Sequence, residues 1–169
     1  PFFMNAGAYG GEIKQIIKNA TVITLDGQIK TLSADELELS YRHSCIPENN
    51  YIVISAVFTL EDGDKALIKE KMADFRQRRI DKQPLEYPSA GSTFKRPEGY
   101  FAGKLIMDSN LAGYTVGGAQ VSAKHCGFVI NKGGATAADV VKLIGDVQRI
   151  VKDKYNVGLE PEVKMIGEF

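Results

Sequence analysis

The chain has 169 residues with 21 basic and 21 acidic side chains, so its formal net charge is zero. A balanced charge gives no general electrostatic attraction to nucleic acid or to a membrane, so we expect neither as a partner. The length suits one large domain or two small ones. No apolar run approaches the ~20 residues that a membrane helix needs, and the two cysteines, Cys45 and Cys126, lack metal-ligand spacing, which predicts no metal site and reduced thiols in the cytoplasm.

The predicted elements begin with an apolar segment, Pro1–Gly7, that is typical of the end of a helix running into a glycine turn. No initiator methionine precedes it, so we expect a fragment or a chain cut from something longer. Residues 20–32 alternate in polarity around Asp26–Gly27, which predicts a β-hairpin. Ser33–Glu36 has the form of a capping box and predicts the start of a short helix.

The middle of the chain is predicted to contain a strand, two helices and a loop. Tyr51–Leu60 is rich in β-branched and aromatic residues, so we expect a strand there. Residues 65–80 carry apolar side chains at helical spacing among many charges, which predicts an amphipathic helix. Gln83–Pro97 is predicted as a loop and Ala102–Met107 as a short helix.

The last third contains the clearest helical pattern. Apolar residues recur at helical spacing over residues 135–155, and Asn156–Gly158 is expected to end that helix. Strands are predicted over residues 115–122, 127–131 and 163–166. Because strands and helices mix without strict alternation, we predict the α+β fold class, with the most boundary-like break near residues 79–84.

The segment Ser89–Pro97 crowds a serine, a glycine and two cations between prolines. Glycine lets backbone and ligand approach closely, and prolines limit how far a segment can flex. Polar loops on a rigid scaffold are where binding sites usually lie. On composition alone, however, a Gly-Ser pair between prolines is more often just a turn.

Four motifs occur together in the order and context of one known family. They are Asn5–Glu12 (NAGAYGGE), Tyr41–Ser44 (YRHS), Gly91–Ser92 and Pro161–Val163 (PEV). With them the chain resembles the UDP-N-acetylenolpyruvoylglucosamine reductases, flavoenzymes that complete UDP-N-acetylmuramate for bacterial peptidoglycan. The resemblance runs from Met4 to the C-terminus and is closest to the shorter form of the family, which lacks an extra substrate-covering loop.

The resemblance implies two α+β parts. Residues 1–80 would be the C-terminal part of an FAD-binding domain, and residues 81–169 the substrate-binding C-terminal domain. Family members begin with a flavin-binding lobe, which we expect this chain to lack and to need as a partner. The implied cofactor is FAD, with NADPH as reductant and the enolpyruvyl ether of UDP-N-acetylglucosamine as substrate, in the cytoplasm.

The implied reaction is hydride transfer from reduced flavin to the substrate double bond, followed by proton transfer. Negative charge develops on the substrate carboxylate, which needs a cation beside it and an acid on the correct face. The resemblance assigns these roles to Arg42 as the cation and Ser92 as the proton donor, with Glu162 stabilising the enol. From the residues alone, the favoured interpretation of Arg42 is a surface arginine after a turn, and the alternative for Glu162 is an ordinary glutamate at a strand edge.

Substrate binding is assigned to basic residues around the serine loop, which suit a diphosphate and a carboxylate. These residues are Lys82, Lys95, Arg96 and Lys104. The competing interpretation is a solvated cationic face. His125 falls where relatives place a polar substrate-facing side chain, although a lone histidine beside a buried strand is usually structural.

The glycine-rich start is expected to bring backbone against the flavin ring. The residues concerned are Asn5, Ala6, Gly7, Ala8 and Gly10. Tight glycine spacing permits such an approach, but a simple turn has the same spacing.

Two functional hypotheses remain open. The first is the substrate-binding and catalytic part of a flavin-dependent reductase, and the second is a non-enzymatic UDP-sugar-binding module that has lost the flavin. The presence of Arg42, Ser92 and Glu162 favours the first, because pure binding has little use for a catalytic serine.

Overall fold

The computed structural model describes residues 1–167 and contains both helices and antiparallel sheets, which confirms the α+β class. By its internal contacts the chain divides into two compact units, Pro1–Met72 (unit 1) and Ala73–Phe169 (unit 2). The domain limits from the sequence, 1–80 and 81–169, stay a prediction. Within the described residues, no helix has the length and apolar character that crossing a membrane requires.

Unit 1 is built on two antiparallel sheets, one short α-helix and two 3-10 helices of three residues each, Phe2–Met4 and Ile13–Gln15. The elements are β1 Gly7–Ala8, β2 Gly11–Glu12, β3 Ile17–Ile23, β4 Ile29–Ser33, α1 Cys45–Glu48 and β5 Ile52–Phe58. β1 pairs with β2, while β3 lies between β4 and β5. The hairpin predicted around Asp26–Gly27 is confirmed, since Ile23 pairs with Ile29 and Gly27 has a φ of 82°. The strand predicted over residues 51–60 is β5.

The helix predicted to start at Ser33 is wrong. The capping-box contacts do form, and the Ser33 N–H donates to Glu36 Oε2 at 2.8 Å. The chain nevertheless makes only a turn, because Glu38 has a left-handed φ of 49°, which a right-handed helix does not accommodate. That turn places Leu37 and Leu39 in the core.

The core of unit 1 is formed by β3, the turn after β4 and the start of α1. Its buried side chains are Ile17, Ala20, Val22, Leu37, Leu39, Cys45 and Ile46. Ala20 and Val22 share one face of β3 through the two-residue alternation of a strand. A register shift between Ile17 and Asn19 puts Ile17 on that same face.

The long helix α2, Lys65–Lys82, confirms the helix predicted over residues 65–80. Asp64 caps it, because its Oδ1 accepts from the N–H groups of Ala66 and Leu67 at 2.8 and 2.9 Å. None of its residues is buried, and Leu67 and Met72 are exposed. The apolar side chains of α2 therefore contribute nothing to either hydrophobic core.

Unit 2 contains a four-stranded antiparallel sheet, two further helices and the C-terminal part of α2. The elements are β6 Ser89–Ser92, α3 Ala102–Asp108, β7 Thr115–Val116, β8 Ala119–Val121, β9 Phe128–Asn131 and α4 Ala137–Tyr155. The strand order is β6-β9-β8-β7. The structure confirms the predicted helices at 102–107 and 135–155 and the strand at 127–131.

Three sequence predictions for unit 2 need correction. The predicted loop Gln83–Pro97 contains β6, whose composition of serine, alanine and glycine carries no strand signal and whose pairing with β9 is tertiary. The strand predicted over 115–122 is the hairpin β7-β8, because Gly117 takes a φ of 53° and turns the chain. Residues 163–166 form no strand, and just before them Pro161 makes an isolated bridge to Phe94.

Helix α4 supplies most of the core of unit 2. Thr136 caps it, with the Asp139 N–H donating to Thr136 Oγ1 at 3.1 Å, and Asn156 ends it in the left-handed region at a φ of 57°. The buried side chains of the helix are Leu143, Ile144, Val147 and Val151. They pack with side chains of β8, α3 and the loop after β6, which fixes the position of that loop.

Candidate functional site

The glycine motif forms a tight hairpin in unit 1. Tyr9 and Gly10, at the turn between β1 and β2, have φ values of 53° and 84°, as a type I′ turn requires. A Cβ on Gly7 would lie 2.9 Å from the carbonyl oxygen of Gly11, so the pairing of β1 with β2 accepts only glycine there. The simple-turn interpretation thus accounts for two of the glycines.

Asn5 ties this hairpin to the rest of unit 1. Its Nδ2 donates to Glu12 Oε2 at 3.0 Å and to the Ser40 carbonyl at 3.1 Å, while its Oδ1 accepts from the Lys14 N–H at 2.9 Å. Only 1% of Asn5 is exposed. Its side chain is therefore occupied in positioning the hairpin.

Arg42 lies in a two-residue turn closed by two hydrogen bonds between Ser40 and His43. Its φ is 53°, an unfavourable value for a residue with a long side chain. The guanidinium carbon stands 5.1 Å from the centre of the Tyr41 ring. Ser44, at the end of the YRHS motif, is fully buried and donates its hydroxyl to the Phe3 carbonyl at 2.7 Å, which anchors the turn.

The hairpin and the Arg42 turn line one cleft of about 340 Å³. Its lining residues are Gly7, Ala8, Gly10, Gly11, Glu12, Gln15, Tyr41 and Arg42. The volume is at the low end of the ~300–1,000 Å³ of small-molecule sites. Exposed backbone at the glycines and a guanidinium at the turn give the cleft groups for an aromatic ring and for an anion.

Ser92 ends β6 in unit 2 and is exposed. From Ser89 to Ser92, β6 advances three residues where β9 advances two, and Gly91 within this bulge has a φ of 88°. A bulge redirects the side chain that follows it, and only glycine adopts such a φ without strain. The bulge thus explains why glycine stands at position 91, and it sets the direction of the Ser92 side chain that follows.

Glu162 is held next to the serine loop by main-chain bonds. Its N–H donates to the Thr93 carbonyl at 2.8 Å, and Phe94 pairs with Pro161. Thr93 is itself buried, with its Oγ1 accepting from the Val129 N–H at 3.0 Å. The residue after Ser92 therefore contacts both the sheet and the backbone of Glu162.

Three of the four predicted substrate cations already have partners within unit 2. Lys95 forms an ion pair with Glu160 across the Phe94–Pro161 bridge. The guanidinium carbon of Arg96 lies 3.9 Å from the centre of the Phe101 ring. Lys104 contacts Asp108 at 2.8 Å, and this hydrogen bond raises the pKa of the lysine.

The remaining two candidates differ in their surroundings. Lys82 is the exposed last residue of α2. His125 is exposed, yet its Nδ1 accepts from the Gly127 N–H at 3.1 Å and its ring meets Phe128 edge-on at 4.9 Å. The Nδ1 contact leaves Nε2 as the ring nitrogen that can meet a ligand.

The structure brings together some of the predicted residues. Arg42 shares the cleft with Gly7, Ala8 and Gly10, whereas Asn5 and Ala6 are not among its lining residues. The roles proposed for all of them stay predictions. Glu12 and Gln15 also line the cleft, although no role was predicted for either; their three-residue spacing is that of the capping box they form.

Comparison with known proteins agrees with the resemblance. Residues 83–166 match the family described as the C-terminal domain of UDP-N-acetylenolpyruvoylglucosamine reductase. Proteins with that reductase name from Agathobacter rectalis and Lachnoclostridium phytofermentans are 68% and 66% identical over 166 residues, which is 98% of this chain but 53% and 54% of theirs. The chain thus spans about half the length of the curated relatives it matches.

A crystal structure of a UDP-N-acetylenolpyruvylglucosamine reductase from Thermus caldophilus shares the fold. The TM-score is 0.79 at 34% identity, over 95% of this chain and 57% of that one.

Proposed function

Because this chain belongs to the UDP-N-acetylenolpyruvoylglucosamine reductase family, we propose that it supplies the substrate-binding and catalytic residues of a flavin-dependent NADPH reductase. The proposed substrate is the enolpyruvyl ether of UDP-N-acetylglucosamine, and the product is UDP-N-acetylmuramate for peptidoglycan. The observation that supports this best is the 2.8 Å main-chain bond between Glu162 and Thr93, because it holds a carboxyl residue against the loop of Ser92.

Ser92 is the proposed proton donor. A serine hydroxyl is a very weak acid, but the acceptor is a strongly basic enolate carbon, so the transfer is feasible where cations steady the resulting alkoxide. Lys95 and Arg96 follow closely on the same loop. Ser92 is exposed, so a substrate can reach its hydroxyl.

Glu162 is proposed to stabilise the enol by hydrogen bonding. A charged carboxylate would repel the substrate carboxylate, so this role needs a protonated carboxyl or a paired cation. The residue is half-buried, and its backbone is fixed by Thr93. A fixed backbone limits the positions that the carboxyl group can take, as a positioned hydrogen-bonding group requires.

Arg42 is proposed to bind the substrate carboxylate as it gains negative charge. A guanidinium matches a carboxylate with two parallel hydrogen bonds, which lysine does not reproduce. The left-handed φ of Arg42 supports a functional role, because strained residues persist mostly where they serve one.

The cleft of unit 1 fits the ring part of a flavin. A Cβ on Gly10 would have no atom within 4 Å, and one on Gly11 would make only ordinary contacts, so the backbone of both glycines is open to a flat ring. The cleft volume suits a ring rather than a whole dinucleotide. When bound, the flavin supplies the hydride, which comes from NADPH, and Arg42 lines the cleft with a charge for an anionic group.

Substrate recognition completes the proposal. We assign Lys82, Lys95, Arg96 and Lys104 to the diphosphate and carboxylate, and His125 to a polar substrate group through Nε2. To bind the substrate, Lys95 and Lys104 must either release their carboxylate partners or contact the substrate while still paired with them. A cytoplasmic location is part of the same proposal, supported by two free, buried cysteines.

The test is turnover by a full-length chimera, made of the N-terminal half of the Agathobacter rectalis relative followed by this chain. We expect the purified chimera to hold flavin and to consume NADPH beyond one equivalent of flavin only when the enolpyruvyl substrate is present, with UDP-N-acetylmuramate as product. A folded, flavin-loaded chimera that binds the substrate without consuming NADPH would instead support the binding-module hypothesis.

A further inference from the structure

Three side chains of unit 1 converge outside the cleft. Glu38, His43 and Glu48 each offer one ligand atom, and the three atoms lie within 4.8 Å of one another. His43 Nδ1 and Glu48 Oε1 are 3.6 Å apart. We propose that these three residues bind a divalent transition-metal ion, with Zn²⁺ as the best match.

The backbone that carries the three residues is well anchored. The Cys45 N–H donates to the Leu37 carbonyl at 3.0 Å, which joins the start of α1 to the residue before Glu38. His43 is held by its two main-chain bonds to Ser40. Glu48 ends α1, whose first two residues are buried. The ligands thus project from a packed frame rather than from a free loop.

The donor set fits zinc. One imidazole nitrogen and two carboxylate oxygens are ordinary Zn²⁺ ligands at about 2.0–2.2 Å, which places ligand atoms about 3.4 Å apart in a tetrahedron. The three ligand atoms lie within 4.8 Å of one another, which exceeds this by about 1.4 Å at most, and side-chain rotation can close the difference because both glutamates are exposed. Water would fill the fourth position.

The same set disfavours Ca²⁺ and Mg²⁺. Those ions take six or more oxygen ligands, and an imidazole is a poor replacement for one of them. A doubly charged cation also removes the repulsion between two carboxylates held close together. The backbone of Glu38 supports a specific role as well, since its φ of 49° is unfavourable for glutamate.

Binding would have a consequence for Arg42. His43 is the next residue in the same turn, so a metal that joins His43 to α1 would hold that turn in one conformation. Any ligand that binds only the folded state also raises its stability by mass action. This inference concerns a site separate from the cleft lining and does not depend on reductase activity.

The test is zinc titration of the tag-free chain by calorimetry, with Co²⁺ absorption as a second readout. We expect one ion per chain, and we expect His43→Gln and Glu48→Gln each to weaken binding at least tenfold, since even outer-shell partners contribute about 10–100-fold. The matched controls are His125→Gln, which alters the only other histidine, and Asp35→Asn, on the same turn as Glu38. Both controls should bind like the unaltered chain.

Circular dichroism establishes that each variant is folded. If His43→Gln does not fold, Glu48→Gln alone carries the test, because Glu48 is exposed and its substitution should not disturb the fold. Absence of saturable zinc binding would overturn the proposal. So would binding that survives both ligand substitutions, or that is lost with His125→Gln.

Discussion

The N–H of Glu162 donates to the Thr93 carbonyl at 2.8 Å, which joins the C-terminal PEV motif to the residue that follows Ser92. These two motifs are about seventy positions apart in the sequence. Their contact gives the proposed acid and the proposed enol-stabilising group one shared backbone frame.

Glu162→Gln in the chimera should lower kcat by about 10²–10⁴-fold, the usual contribution of a positioned acid or base. The amide keeps the shape and the backbone bond to Thr93 but does not supply the carboxyl proton. Steady-state NADPH consumption measures the effect. Glu98→Gln, an exposed position on the loop before α3, is the control and should retain full turnover. Wild-type turnover by Glu162→Gln would contradict the enol-stabilising role assigned to Glu162.

Arg42→Gly and Arg42→Lys should separate stability from activity. Both remove the guanidinium, so both should lose most of the turnover of the chimera. Glycine relieves the left-handed φ of 53°, worth about 1 kcal/mol, whereas lysine keeps the strain. Denaturant unfolding should therefore find Arg42→Gly at least as stable as the parent and more stable than Arg42→Lys. Equal loss of stability in both variants would argue that the turn is not strained.

Thr93→Val should destabilise unit 2 without changing the shape of the side chain much. Its Oγ1 is the acceptor for the Val129 N–H, and an unsatisfied buried donor costs about 1–3 kcal/mol. Urea unfolding of this chain measures the change. Thr115→Val is the control, because that hydroxyl lies on an exposed strand end, and it should change the unfolding free energy far less.

Asp139→Asn should make the stability of the chain depend less on pH under acidic conditions. Hydrogen bonds from the Thr136 N–H and hydroxyl hold the pKa of Asp139 below its ordinary value. A lowered folded-state pKa adds stability that is present above the unfolded-state pKa and is lost as the pH falls through the folded-state value. Unfolding midpoints between neutral pH and pH 3 should fall more steeply for the parent than for Asp139→Asn. Parallel profiles would contradict this.

Local patterns predicted the elements that depend on local chemistry. The period of apolar residues over 135–155 matches α4, and the Asp26–Gly27 pair marks a real hairpin. The capping box Ser33–Glu36 forms its hydrogen bonds but starts no helix, since Glu38, two residues after Glu36, leaves the helical region. A cap motif therefore identifies local hydrogen bonds more securely than it identifies a helix.

Tertiary pairing set the elements that the sequence missed. β6 has the composition of a loop and becomes a strand only because β9 lies beside it. The Lys95–Glu160 ion pair likewise depends on the Phe94–Pro161 bridge, which spans residues far apart in the chain. The convergence of Glu38, His43 and Glu48 is equally invisible to motif reading, because it depends on the turn that replaced the predicted helix.

The most direct test of the central claim is the Ser92→Ala chimera, studied as two half-reactions by rapid mixing. We predict normal reduction of the flavin by NADPH and a stalled reoxidation by the enolpyruvyl substrate, because the proton donor is absent. Ser89→Ala, on the same strand, should reoxidise like the parent. Normal reoxidation of Ser92→Ala would contradict the assignment of this chain as the source of the proton.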